Sequence, residues 1–293
     1  MRLFPIFILA AAVWAGDARF NGRWDLTAAD GRASWLEITG AETGKPSGKF
    51  VSAFDGDMNV IEKISITDGA IEFGWPGRNI LYAAKLVNGK LEGTAPGKWV
   101  GVRAPVIKEH DDGTWREAKP VTLFNGKDLS GWKAKSGPAP IGWSVKDGAL
   151  AGNGKANDIV SEQKFWNFKL HCEFKIAEHS NSGVGLRGRY EIQVLDDYGK
   201  QQGTHNNGAL YARIAPAFNA SKPAGEWQTY DIRLVGRDLT VVLNGKTIID
   251  KREIEGLTAI AVDSNEAEPG PIYLQGDHGP VEYRNIVVTP LVK

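Results

Sequence analysis

Five Asx-Gly pairs, Asp68-Gly69, Asn88-Gly89, Asn125-Gly126, Asp147-Gly148 and Asn244-Gly245, each stand next to a short run in which apolar and polar residues alternate. Tight β-hairpin turns need positive φ at their central residues, which Asn, Asp and Gly tolerate best. Alternation with period two sends the apolar side chains of each run to one face of a sheet. Helical periodicity is nearly absent, so the chain is predicted to be all-β. Its 35 glycines in 293 residues suit the number of turns such a chain requires.

That length accommodates two domains. The alternation lapses in APVIKEHDDGTWREAKP, residues 104–120, which carries a proline near each end and an acidic middle. The predicted organisation is therefore a signal peptide at 1–15, a small antiparallel β domain at 17–104, a linker at 105–120 and a larger β domain at 121–293. The signal is read from Arg2, the apolar run Leu3–Trp14, and small residues before Gly16; the run is too short to span a bilayer comfortably. An exported protein is expected, periplasmic or extracellular, with no membrane attachment after cleavage. Lys+Arg and Asp+Glu balance at 35 each and no long basic run occurs, which argues against nucleic acid as a partner. Cys172 is the only cysteine, so no internal disulfide can form, and its parity with Leu170 and Phe174 reads as a buried small hydrophobe.

In the first domain, FNGRWDLT resembles the opening of lipocalin-like small barrels, so a barrel-like arrangement of six or more strands is expected. Trp24, Trp35, Trp75 and Trp99 are expected in core or barrel-end packing. The longer strands of the second domain close their edges most easily as two packed antiparallel sheets.

The polar residues most suited to chemistry lie in NSGVGLRGRYEIQVLD, residues 181–196, and LQGDHG, residues 274–279. In YEIQVL, Tyr190, Ile192 and Val194 share one strand face, and Glu191 and Gln193 share the other. In VGLRG, Val184 and Leu186 are apolar, whereas Gly183, Gly185 and Arg187 take the opposite face, where the glycines leave room beside Arg187. Two readings of that face stand: a ligand site, or a solvated surface with Arg187 and Glu191 paired across strands. GVGLRG also fits the dinucleotide-binding glycine pattern, but that pattern needs a following helix and here a strand follows. His278 sits on a turn with small neighbours and, as an imidazole, can change protonation near neutrality. Among the other histidines, His205 in GTHNNGALY lies in the most shaped loop. Asp196-Asp197 could contact a metal, yet no regular ligand spacing supports one. Gly-x-Ser-x-Gly, His-Glu-x-x-His and Walker motifs are absent.

The ordered series FNGKDLSGW, W-x-V-x-DGAL, NSGVGLRG, YEIQVLD, GALY, EWQTYDIRL, VVLNGK and LQGDHGPVEYRNI resembles the 3-keto-disaccharide hydrolase family, whose members are also described as 3-keto-glucoside 1,2-lyases and 3-keto-2-hydroxy-glucal hydratases. The resemblance spans about residues 121–291. It implies a concanavalin-like (jelly-roll) β-sandwich acting on a 3-keto-glucoside or 3-keto-disaccharide that a separate sugar 3-dehydrogenase has oxidised. The C3 ketone makes the C2 proton acidic; its removal expels the C1 substituent, and water adds to the resulting glucal. By motif position, Glu191 and His278 form the implied acid/base pair. His278 is the expected C2 base, since an unperturbed imidazole titrates near about 6.5 and Glu191 would need burial to approach that. Arg187 and Gln193 are expected to hold the keto oxygen or a neighbouring hydroxyl. Asn181, Asp196, His205, Tyr211, Gln275 and Asp277 are expected to bind substrate. This route requires no cofactor, and the use of a divalent metal is left open. Two rivals remain: a non-catalytic carbohydrate-binding module, since fold does not fix activity, and a conventional two-carboxylate glycosidase.

Overall fold

A computed structural model describes residues 16–52 and 56–293, so the expected signal sequence lies outside the described residues. Of the Asx-Gly pairs named above, four form tight turns with both residues at positive φ, joining Lys63–Thr67 to Ala70–Trp75, Ile80–Val87 to Lys90–Ala95, Trp143–Lys146 to Ala149–Asn153, and Asp238–Leu243 to Lys246–Glu253. Asn125-Gly126 instead opens a loop, in which Asn125 Oδ1 accepts from the backbone amides of Lys127 and Asp128.

Nine antiparallel strands between Gly22 and Arg103 form the first sheet, in a meander whose two end strands are Met58–Val60 and Lys63–Thr67. The sheet curls over its own core: Phe50 meets Phe73 and Trp75 with ring centroids 5.6 and 5.9 Å apart. Trp24, Trp75 and Trp99 are buried in that core. Trp35 is buried in a core as well, but in that of the following sandwich, together with Ala33 and Val51.

The remaining strands form a jelly-roll sandwich of two antiparallel sheets. One runs in the order 143–146, 149–153, 280–292, 168–176, 228–235, 238–243, 246–253. The other contains β1 (Trp132–Ala134), β2 (Ile159–Phe165), β3 (Asn181–Leu186), β4 (Tyr190–Leu195) and β5 (Gly270–Leu274), in the order β1-β2-β5-β3-β4. GVGLRG is thus the β3 strand and the turn into β4, with no helix after it. Cys172 is buried between the sheets, where burial raises its thiol pKa.

The segment expected as a linker is docked on the sandwich. Arg116–Glu117 pairs with Leu291 and Val292, and Arg233 holds the Asp111 carboxylate through two hydrogen bonds of 2.7 and 2.9 Å. The first sheet is joined to the sandwich by Trp35, whose ring lies 4.3 Å from the Arg213 guanidinium, and by a buried ionic group. In that group Arg237 holds Glu266 in a two-pronged pair at 2.9 Å and Tyr190 Oη donates to the same carboxylate. Asp25 comes from the first sheet, and neither of its carboxyl oxygens meets a donor. Burial and the adjacent Glu266 push the Asp25 carboxyl up to about 9, so it carries a proton at neutrality.

Candidate active site

The alternation in β4 sets the site. Tyr190, Ile192 and Val194 fill the core between the sheets, and Glu191 and Gln193 stand on the opposite face. On neighbouring strands that face carries Gly183, Gly185 and Tyr273, with Gly185 opposite both Glu191 and Tyr273 in register. Gln275 follows β5 and its amide donates to the Gly183 carbonyl at 3.0 Å. The room left by the glycines is taken by the protein's own side chains. A Cβ at residue 183 would lie 2.4 Å from Glu191 Oε1, and one at residue 185 would lie 2.6 Å from Ile260 Cδ1. Gly183 therefore lets the Glu191 carboxyl lie down onto the sheet, buried but facing a cleft.

That cleft has a volume of about 280 Å³. Glu191, Asn181, Gln275, His278, Lys135 and Asp158 line it. Tyr211 closes it together with Gly56, which comes from the first sheet's part of the chain. The Glu191 side is nearly sealed, at 4% exposure, and its carboxyl is pushed up to about 8. Burial is the main cause; Asp158 and Asp277 add to it, and Lys135 opposes it. His278 is half exposed, and its Nδ1 is hydrogen-bonded to the Asp277 carboxylate. Asp158 accepts from the Gly276 amide at 3.2 Å, and its other oxygen lies 3.8 Å from Lys135 Nζ. Lys135 also donates to the Ile260 carbonyl at 3.2 Å and lies 5.2 Å above the Tyr273 ring. Burial, then Asp158, raises the Tyr273 hydroxyl well above its ordinary range. Tyr211 is raised too, first by burial and then by Glu191 and Asp57. On this sheet face the Oδ1 of Asn181, the Oε1 of Gln275 and, farther along β4, the Oε1 of Gln193 are buried acceptors without a protein partner. Sugar hydroxyls could satisfy the two that face the cleft.

The structure thus brings Glu191, His278, Asn181, Tyr211 and Gln275 into one cleft, with Asp277 behind His278. Gln193 stands on the same sheet face without lining the cleft; its Nε2 reaches the His205 carbonyl at 3.4 Å. His205 backs the wall instead, edge-on to Tyr211 with centroids 4.8 Å apart and with Nε2 2.5 Å from Asp57 Oδ1. Asp196 lies outside, where its carboxylate accepts from the His179 amide at 2.9 Å.

Arg187 is a correction. The strand ends at Leu186, and Arg187 enters a turn with φ of 52°, so the strand parity that placed it beside Glu191 no longer applies. Its guanidinium stacks 3.8 Å over Trp166, donates to the Trp166 carbonyl at 2.6 Å and to Asn167 Oδ1 at 3.1 Å, and is fully buried. It anchors the turn and neither holds a keto oxygen nor pairs with Glu191. Asp158, Lys135 and Tyr273 went unread in the sequence. Tyr273 had a signal, since it shares parity with Gln275 in PIYLQG; Asp158 and Lys135 lie at strand ends, where parity is weak. Among the described residues no cluster of three or more His, Cys, Asp or Glu is arranged to hold a metal.

Comparison with known proteins agrees with this architecture. A protein from Bacteroides thetaiotaomicron named 3-keto-disaccharide hydrolase is 27% identical over 143 residues, an alignment covering 36% of this chain and 49% of that one, so the chain spans about half the length of this relative. Two crystal structures of candidate glycosyl hydrolases from Parabacteroides distasonis superpose with TM-scores of 0.53 and 0.51, at 31% and 25% identity. They cover 64% and 59% of this chain, and the matches take in 91% and 94% of theirs. Residues 119–289, more than half of the sequence, match the family described as the 3-keto-alpha-glucoside-1,2-lyase-like domain, and the chain belongs to that family.

Proposed function

We propose that the protein cleaves the glycosidic bond of 3-keto-glucosides, or of 3-keto-disaccharides, by elimination across C1 and C2 followed by addition of water. The observation that carries this reading is a buried carboxyl group, Glu191, sharing a sugar-sized cleft with an imidazole oriented by a carboxylate, His278 on Asp277. The names of the related protein and of the family support the same substrate class.

With Asp277 accepting from Nδ1–H, His278 presents the lone pair of Nε2 as a base. It takes the C2 proton, which the C3 ketone has made acidic. The electrons form the enolate, and the side-chain amide N–H groups of Asn181 and Gln275 and the Lys135 ammonium are the donors at hand for its oxygen. The C1–O bond then breaks, and Glu191 gives its proton to the leaving oxygen. Burial raises Glu191 into the range where it can serve as this acid near neutral pH. Water adds across the C1–C2 double bond of the 3-keto-2-hydroxy-glucal, its oxygen to C1 and a proton to C2, so the net change is hydrolysis. The ketone comes from a separate sugar 3-dehydrogenase, and the protein is proposed to act after export.

Asp158 favours a second reading, because it places another carboxylate in the cleft with Glu191, as a two-carboxylate glycosidase requires. Purified protein supplied with a glucoside and with its 3-keto counterpart separates the possibilities. Aglycon release from the oxidised sugar alone supports elimination. Cleavage of the unoxidised sugar supports the glycosidase, and binding without release supports a carbohydrate-binding module.

A further inference from the structure

We propose that a second cleft on the same sheet face is the leaving-group subsite, and that it selects an anionic aglycon; this rests on the 3-keto-glucoside reading above. The cleft has a volume of about 560 Å³ and lies over β1 and β2, whereas the site at Glu191 lies over β5, β3 and β4. Lys135 and Ala259 line both, so a bond cleaved in the first leaves its departing half facing the second. One glucose ring suits the smaller space, and the larger one has room for a second sugar.

The lining decides the chemical class. No aromatic ring lines this cleft among the described residues, so neither a flat apolar aglycon nor a ring-stacked neutral sugar has a platform. Four cations line it, Arg32, Lys133, Lys135 and Lys164, against three carboxylates, Asp30, Glu162 and Asp263. Asp30 is held by Arg32 across the turn of the first sheet, and Asp263 is held at 2.7 Å by the buried Arg189. Lys135 has Asp158 as its partner. Lys133 and Lys164 are exposed and make no ion pair among the described residues, leaving Glu162 as the one uncommitted carboxylate against two ammonium groups. An aglycon carboxylate or phosphate would receive charge-assisted hydrogen bonds there. Asp30 and Gly31 supply part of the outer wall, so the first sheet takes part in choosing the leaving group.

Three 3-keto substrates test this: glucosyl-glucose oxidised at C3 of the non-reducing ring, its counterpart with a 6-carboxylate on the second ring, and its counterpart with a 6-phosphate there. The expected kcat/KM for an anionic substrate exceeds that of the neutral one by about tenfold, the worth of one charge-assisted hydrogen bond. In the Lys133→Gln/Lys164→Gln double variant that ratio falls towards one. The carboxylate and phosphate arms show which anion the subsite prefers. Equal kcat/KM for neutral and anionic substrates in the wild type, or an unchanged ratio in the double variant, overturns the subsite while leaving the proposed function standing. Release from none of the three overturns the function and the subsite with it. Circular dichroism confirms that the double variant is folded.

Discussion

Replacing Glu191 with Gln keeps the shape of the side chain and removes its proton chemistry, so it tests the most specific electrostatic statement about the site. The folded protein holds the Glu191 proton up to about pH 8, whereas the unfolded chain releases it near the ordinary 4.5. Between those values the folded state binds more protons than the unfolded one, and its stability falls as pH rises. Glutamine has no such proton, so wild type loses stability relative to Glu191→Gln across that window, and the difference levels off above it. The span from 4.5 to 8, at about 1.4 kcal/mol per pH unit, sets a ceiling of about 5 kcal/mol. Water entering the cleft screens part of this, and at least about 2 kcal/mol is expected to remain. Urea denaturation of both proteins from about pH 5 to about pH 9 measures it, since every other titrating group is common to the pair. Parallel stability profiles would show that Glu191 ionises as an ordinary surface carboxylate and would refute the account of its burial. In the same variant, aglycon release from a 3-keto-glucoside is expected to fall more than about 100-fold.

Removing the imidazole with His278→Ala should also lower turnover more than about 100-fold, and Asp277→Asn, which only disturbs its orientation, by about tenfold; equal losses would show that Asp277 does more than orient. Gly183→Ala places a methyl group only 2.4 Å from Glu191 Oε1 and forces the carboxyl to move, so activity should drop at least about tenfold while circular dichroism is unchanged. Unaltered activity would mean that the carboxyl need not rest on the sheet. At the joint between the first sheet and the sandwich, Glu266→Gln strips Arg237 of its charge partner and should cost about 3 to 5 kcal/mol in denaturant unfolding. Asp25→Asn replaces a carboxyl that is already neutral, and at pH 7 should change stability by less than about 1 kcal/mol.

The sequence exposed what repeats. Hairpins at Asp68-Gly69, Asn88-Gly89, Asp147-Gly148 and Asn244-Gly245 follow from local backbone preference, and the faces of β4 follow from strict alternation, which puts Glu191 and Gln193 on one side and Tyr190, Ile192 and Val194 on the other. Where one residue leaves the period, the reading fails: Arg187 has the composition of a strand residue and the backbone of a turn, and a single positive φ removes it from the site. Trp35 was legible as packing but not as packing against the other sheet, because alternation gives a face and says nothing about what covers it. Asp158 and Lys135 meet Glu191 only through the strand order β1-β2-β5-β3-β4, which joins segments far apart along the chain. Sequence spacing carries no trace of that neighbourhood.

Gly56 lines the cleft, and Asp57 grips His205 beneath Tyr211, yet both precede residues 119–289 that match the family. One part of the cleft wall therefore comes from outside the matched stretch, and a graft of the sandwich alone into another host would keep Glu191, His278 and Tyr211 but lose Gly56 and the Asp57 support of His205. It would also bare the apolar ground on which Ala33, Trp35 and Val51 now rest. For an engineer, the cut between the two sheets is therefore not a clean one: the cleft wall and the packing at the seam would both have to be rebuilt.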